Sequence, residues 1–455
     1  MVESVRTTTA GNSSTPPPVQ SAASAHYNSI GMMSAVSIGV GGMIGAGIFS
    51  ILGLAGEIAG GAMYISFAVA GIVALLCAYS YAKLGARYPS AGGAVEFLVR
   101  GFGTGPISGA LNVLLLFGYI FALALYARAF GTYAATFLGP DAPSVWTNVF
   151  ATGVIAAFTG LNFIGARAVG RAEVAIVAVK VAVLIAFAAV GLALAKPGAF
   201  ATSTWASPRQ ILFAAGVVFL GYEGFGLITN AADDMQNPSA LLPRALYTSV
   251  AVVIGVYVLV ALAVLGNLSV AEIAAAKDYA LAQAASPSLG AIGFKIMAGA
   301  ALFSTASAIN ATLYGGANAS YVIAKHGELP AFFDRKLWHN TQEGLFIVAA
   351  TVLVVANLFQ LDGIAMLGSA SFLLVYGTVN VGHIRIARET GARRPMLVAA
   401  SLACALSLAL LLTYAVRTSP ATILALGVVV AASFGIEIGY RAVSRRTMTT
   451  LSANP

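Results

Sequence analysis

The sequence predicts an all-α integral membrane protein of twelve transmembrane helices, and three observations carry that reading. Of 455 residues, 59% are hydrophobic and only 9% are Asp, Glu, Lys or Arg, whereas a soluble domain covers its surface with roughly 25% charged residues. The mean hydropathy of +0.88 agrees. The apolar residues also run in long stretches rather than alternating as in a membrane β-barrel, and lipid leaves no other spanning structure because it cannot satisfy backbone polar groups. Finally, the 49 glycines would weaken soluble helices but suit close helix packing in lipid.

Residues 1–27 are small and polar, contain Pro16-Pro17-Pro18, and show no apolar stretch after the opening Met. They read as a disordered cytoplasmic tail, not a cleaved signal peptide. Apolar segments follow at about 31–56, 61–83, 104–137, 146–165, 170–194, 210–230, 244–266, 289–318, 343–360, 364–386, 396–415 and 419–440. Each is near or above the ~20 residues that cross a bilayer, and the third is long enough to tilt or project. A second tail, 441–455, ends the chain.

Basic residues set the topology. With the N-terminus in the cytoplasm, the outer side receives only Lys196, Arg209, Lys277, Lys295 and Arg417, while Arg128 and Lys180 stay within spans and the other Lys and Arg fall inside. Both ends are therefore expected on the cytoplasmic side of the cell's inner membrane. The same placement explains the formal charge of +8 without a nucleic-acid partner. Cys77 and Cys404 both lie within spans and read as small apolar packing residues.

Two spans do not read as ordinary helices. The first carries Gly39, Gly41, Gly42, Gly45 and Gly47; the sixth carries Gly221, Gly224 and Gly226 around Tyr222, Glu223 and Phe225. Glycine this dense lowers the cost of unwinding. A helix broken at mid-membrane presents amide donors from one half and carbonyls from the other, able to hold a carboxylate or a cation. Tight packing alone is the alternative. The two breaks are offset by five spans, which predicts inverted halves over 28–194 and 209–388, with 396–440 added outside the repeat.

Charges within the spans mark candidate sites. Lys180 lies mid-way through span five, where an ammonium is expensive to bury. It can gain and lose a proton in a cycle, fill the place of a sodium ion against carbonyls of the broken first helix, or make a fixed bond or snorkel. Glu223, inside the sixth-span break, can bind a substrate amine, pair with Lys180, or cap exposed amides. Arg128, nearer the outer third of span three, reads as snorkelling or as part of an outer vestibule. Glu437 reads as structural. On span eight, Ser304, Thr305, Ser307 and Asn310 recur at helical spacing and line a cavity or bond between helices. Tyr119, with Phe117 and Tyr126, forms a candidate aromatic wall on span three.

Enzyme signatures are missing. His26, His326, His339 and His383 are scattered, so no metal site or cofactor is expected, and the glycines of span one lack the Lys-Ser/Thr ending of a phosphate loop. Pumping by ATP would need a separate partner, and secondary transport is the economical reading.

Gly41-Gly42-Met43-Ile44-Gly45-Ala46-Gly47-Ile48-Phe49 resembles the substrate-carboxylate loop of the amino acid–polyamine–organocation transporter superfamily, above all its bacterial amino acid permeases. The stretch from Tyr81 to Gly93 is similar to the one after their second helix, and Tyr222-Glu223-Gly224-Phe225 resembles their unwound sixth helix, followed by Asn237-Pro238 and Leu242-Pro243-Arg244-Ala245. Lys180 falls where many sodium-independent members place a lysine. The agreement spans about 28–440. It implies that Ile44, Gly45, Ala46 and Gly47 receive a substrate carboxylate and that carbonyls around Leu220, Gly221, Tyr222, Glu223 and Gly224 receive its amino group. Two departures stand out: Ala46 replaces a frequent serine, and Gly316 to Tyr321 lacks the usual arginine before Lys325.

The function expected is alternating-access amino acid transport, proton-coupled through Lys180 with Ser304 and Thr305, by a monomer or homodimer. Amino acid exchange, polyamine or organic-cation transport, and a membrane ligand sensor on the same fold are the alternatives. A channel fits less well, since two broken helices enclose an occludable site rather than a continuous pore.

Overall fold

The computed structural model describes residues 30–139, 142–164, 169–325, 329 and 343–444. The tail expected over 1–27, the part of 441–455 beyond Ser444, and His26, His326 and His339 lie outside these residues. The described chain is helical; among its residues the extended pairing is confined to isolated bridges, Ile30 with Met235 and Gly60 with Trp205.

The helices are α1 Met32–Met43, α2 Ala46–Phe49, α3 Ile51–Ala59, α4 Met63–Arg87, α5 Ala94–Phe102, α6 Pro106–Ala135, α7 Val145–Ile164, α8 Val169–Ala193 and α9 Pro208–Val218. They continue with α10 Phe225–Asn230, α11 Pro238–Asn267, α12 Val270–Ala276, α13 Ala280–Lys325, α14 Glu343–Leu358, α15 Leu361–Arg385, α16 Ala387–Thr390, α17 Arg394–Thr418 and α18 Pro420–Ser444. Local chemistry fixes several starts. Ser207 and Gln210 form a capping box on α9, Ser269 and Glu272 form one on α12, and the Asn237 side chain caps α11 with Pro238 in the first turn. That cap starts α11 some six residues before the apolar run at 244, because capping chemistry rather than hydropathy sets a helix end.

Ten helical segments among the described residues are long and apolar enough to cross a membrane. The segments read at 146–165 and 343–360 correspond to α7 and to α14, whose described residues run from Glu343 to Leu358. Burial sorts the ten. Pro106–Leu138 and Pro208–Asn230 are 94% buried, whereas Arg394–Thr418 and Pro420–Val443 are 22% buried. The long third span and the interrupted sixth are therefore the centre of the bundle, and α17 and α18 are its margin. Cys77 and Cys404 are free and buried, with Sγ atoms 3.3 Å apart where α4 meets α17.

Both glycine-rich spans depart from regular α-helix at their glycines. After Met43 the backbone leaves the helix at Ile44 (φ −79°, ψ 71°) and re-enters it in α2. Between α9 and α10 the chain tightens into a 3-10 turn over Phe219–Tyr222, so this interruption narrows the helix where the first one opens it. The two interruptions touch through glycine. A β-carbon on Gly42 would stand 3.2 Å from the Gly224 Cα, and one on Gly47 would stand 2.7 Å from the Gly221 Cα. Backbone lies against backbone at both places, and only a residue without a side chain permits it.

Gly224→Ala tests that contact. Its β-carbon would lie 2.5 Å from the Met43 nitrogen and against the Gly42 carbonyl carbon, and overpacking of this kind costs about 1–3 kcal/mol. Thermal unfolding in detergent is expected to drop accordingly, while Gly255→Ala, with nothing within 4 Å, leaves it unchanged.

Candidate functional site

A backbone group freed from a helix inside lipid must find another partner, so the interruptions can be followed carbonyl by carbonyl. Lys180, 2% exposed, donates from Nζ to Gly41 O at 2.9 Å and to Ile44 O at 2.8 Å. Ser304 donates to the same Ile44 oxygen at 2.6 Å. Tyr126 donates to Gly42 O at 3.3 Å, and Tyr133 to Phe49 O at 2.6 Å. Tyr257 donates to Met43 O at 2.5 Å and to Gly221 O at 3.0 Å, which binds the two interruptions through one hydroxyl.

The sixth-span turn is held in the same manner. Leu220 N–H donates to Ser369 Oγ at 3.0 Å, and Tyr376 donates to Glu223 O at 2.9 Å. The Glu223 carboxylate points toward α6, where Oε1 accepts from Tyr126 at 3.0 Å. Its other oxygen, Oε2, is buried with no hydrogen-bond partner among the described residues. Tyr126 thereby joins the Gly42 carbonyl to Glu223. Glu223 and Lys180 form no ion pair among the described residues; Lys180 instead spans the end turn of α1.

The other residues singled out in the sequence take separate places. A β-carbon on Gly45 would meet Ala308 at 2.5 Å and the Tyr126 ring at 3.6 Å, so this glycine faces α13 and α6. Ala46 begins α2, and its side chain lies outside the described residues. Tyr119 stacks edge-on against Phe372 with centroids 5.7 Å apart. The Tyr222 hydroxyl turns outward to Phe67 O on α4 at 2.9 Å, and Phe225 packs between Tyr81 and Tyr376. Thr305 bonds back to Ala301 O in its own helix at 2.7 Å, whereas Asn310 accepts from Asn162 of α7 at 3.0 Å. Arg128 reaches Ala356 O and Gln360, both at 3.0 Å, and so ties α6 to the junction of α14 and α15. Glu437 pairs with Arg441 one turn on. The structure thus gathers Ile44, Gly45, Gly47, Lys180, Ser304, Gly221, Glu223 and Gly224 at one crossing, with Thr305, Asn310 and Arg128 bonded elsewhere.

Three contributors escaped the sequence reading. Tyr257 is a lone aromatic hydroxyl in a Val- and Leu-rich span, and Tyr376 sits among aromatics that pack equally well as core. Glu173 lies near the start of α8, is 8% exposed, and accepts from Ser307 at 2.8 Å. Its signal was the seven-residue spacing to Lys180, which places both on one helical face.

The amino acid permease family profile matches residues 30–437. An uncharacterised protein of Methanocaldococcus jannaschii is 41% identical over 92% of this chain and 97% of its own length. The inner membrane transport protein YbaT of Escherichia coli is 37% identical over 82% of this chain and 87% of its own. The branched-chain amino acid permease BcaP of Lactococcus lactis is 26% identical, over 81% and 84%.

Tyr257→Phe removes the donor shared by Met43 and Gly221; the Met43 carbonyl keeps the Gly45 N–H at 2.9 Å, and the Gly221 carbonyl loses its link across to the first span. Loss of a buried acceptor's donor costs about 1–3 kcal/mol. A lowered unfolding temperature in detergent is the expected result, and an unchanged one would show that the Gly221 carbonyl finds another donor.

Proposed function

The chain belongs to the amino acid permease family, and from that premise we propose that it carries amino acids across its membrane by alternating access, driven by protons and independent of sodium. Membership makes it a multi-pass membrane transport protein rather than an enzyme. In this reading twelve spans form inverted halves over 28–194 and 209–388, α17 and α18 stand outside the repeat, and both termini are cytoplasmic. Spans one and six are unwound at the substrate site, where Ile44 to Gly47 receive the carboxylate and the turn from Leu220 to Glu223 receives the amino group.

The seat of Lys180 is the observation that carries the coupling. Two carbonyls converge on its ammonium, and Ser304 shares one of them. Carbonyls and a hydroxyl are ligands a sodium ion would take, so a charged lysine stands in for the ion. Loss of its proton weakens its hold on α1, and a proton gradient can then drive the state of that helix.

A second reading comes from Glu223. Its buried Oε2, without a hydrogen-bond partner among the described residues, is an acceptor suited to a second amine, which favours a cationic amino acid or a polyamine over a neutral amino acid.

Uptake into proteoliposomes decides among these. The panel holds radiolabelled branched-chain, small neutral and cationic amino acids with putrescine and spermidine, measured with and without an inward proton gradient. One proton per substrate concentrates it about tenfold for each pH unit, since 1.4 kcal/mol is a factor of ten. That accumulation, without sodium and lost in Lys180→Ala, is the expected outcome. Flux that needs internal substrate would instead make the protein an exchanger, and binding without flux would make it a sensor.

A further inference from the structure

We propose that Glu173 is the proton-relay group for Lys180, passing the transported proton between the Lys180 ammonium and the end of the bundle where α8 begins. The inference rests on the proton-coupled reading above and deepens it by naming the partner of Lys180.

Glu173 and Lys180 lie in α8 seven residues apart, so about two turns separate them on one face, with roughly 10 Å of rise between their Cα atoms. Helical side chains lean toward the N-terminus, which carries the lysine toward the glutamate. Both groups meet the last turn of α1 at the same residue. Lys180 donates to the Gly41 carbonyl at 2.9 Å, and a β-carbon on Gly41 would stand 2.5 Å from Glu173 Oε1. A single glycine therefore stands between the carboxylate and the ammonium.

The carboxylate is nearly enclosed, bonded by Ser307, and in no ion pair among the described residues. An ionisable group so placed in a membrane bundle usually serves function. Neighbouring helices α1 and α7 carry no titratable residue. On α11, Tyr257 is bonded to Met43 and Gly221, Tyr247 lines a separate cavity with Lys83 and Arg87, and Arg244 is exposed. On α13, Lys325 lies over the Tyr321 ring and Lys295 is exposed. Among the described side chains of these elements, Lys180 is thus the charge that shares Glu173's face.

In the proposed step the Lys180 ammonium, which here bonds Gly41 O and Ile44 O, swings off Gly41 to reach Glu173; an Nζ–H bond then breaks and an Oε–H bond forms on Glu173, leaving a neutral amine and a neutral carboxylic acid. The acid then gives its proton to water at its own end of the bundle. Neutralising the lysine weakens its remaining bond to Ile44 in the same event.

The test compares Glu173→Gln, Glu173→Asp, Ser307→Ala and Lys180→Ala in proteoliposomes, using the panel amino acid taken up fastest. Glu173→Gln is expected to reduce the roughly tenfold accumulation per pH unit to near equality, yet to keep counterflow exchange within about twofold of wild type. Glu173→Asp should restore part of the accumulation, and Ser307→Ala should displace its pH profile. Full accumulation in Glu173→Gln, where Lys180→Ala has lost it, overturns the relay alone. Full accumulation in Lys180→Ala overturns the proton-coupled reading and the relay with it. Loss of accumulation and exchange together in Glu173→Gln assigns the residue a structural role and also overturns the relay.

Discussion

Two interrupted helices cross in direct backbone contact, and everything else at the centre of this bundle answers to that contact. The Gly42–Gly224 and Gly47–Gly221 approaches leave no room for side chains between the strands of backbone, so the freed polar groups must be met from the flanks. Inside lipid each unmet group costs several kcal/mol. Tyr126 and Tyr133 of α6, Lys180 of α8, Tyr257 of α11, Ser304 of α13 and Tyr376 of α15 supply the donors. Five surrounding helices are thereby fixed in register against one crossing. A tyrosine suits the task because its ring buries as core while its hydroxyl carries the hydrogen bond.

How much of this could be read beforehand depended on whether the signal was local. Glycine density is a property of adjacent residues, and both stretches it marks depart from regular α-helix. Lys180 was legible for a similar reason, since a charge in the middle of an apolar run stands out. Pairing across the bundle is not local. Nothing next to Tyr257 distinguishes a residue that clamps two backbones from one that fills space, and Glu173, within the span read at 170–194, was not singled out. Ser304 and Thr305 show the finest limit. They are neighbours in sequence, but about 100° of helical rotation sends one to Ile44 and the other back to its own helix.

The same distinction holds for the fold. Hydropathy recovered the long apolar helices because it reports the solvent a segment meets. It missed the early start of α11, which an Asn cap and a proline determine. Similarity to the amino acid permease family over 30–437 adds what neither pattern nor packing supplies, a class of substrate for the chain.

The Ile44 carbonyl has a consequence for kinetics. One oxygen accepts from both Lys180 and Ser304, so α1 cannot lean away from α8 while staying joined to α13. A displacement of Ile44 away from both α8 and α13 forfeits both bonds together, one of them charge-assisted. With about 1.5–3 kcal/mol for the bond to the ammonium and about 1 kcal/mol for the other, the helix has a discrete threshold rather than a soft spring. Thermal agitation will leave it in place most of the time and release it in rare, complete excursions, on the microsecond-to-millisecond scale typical of collective helix motions.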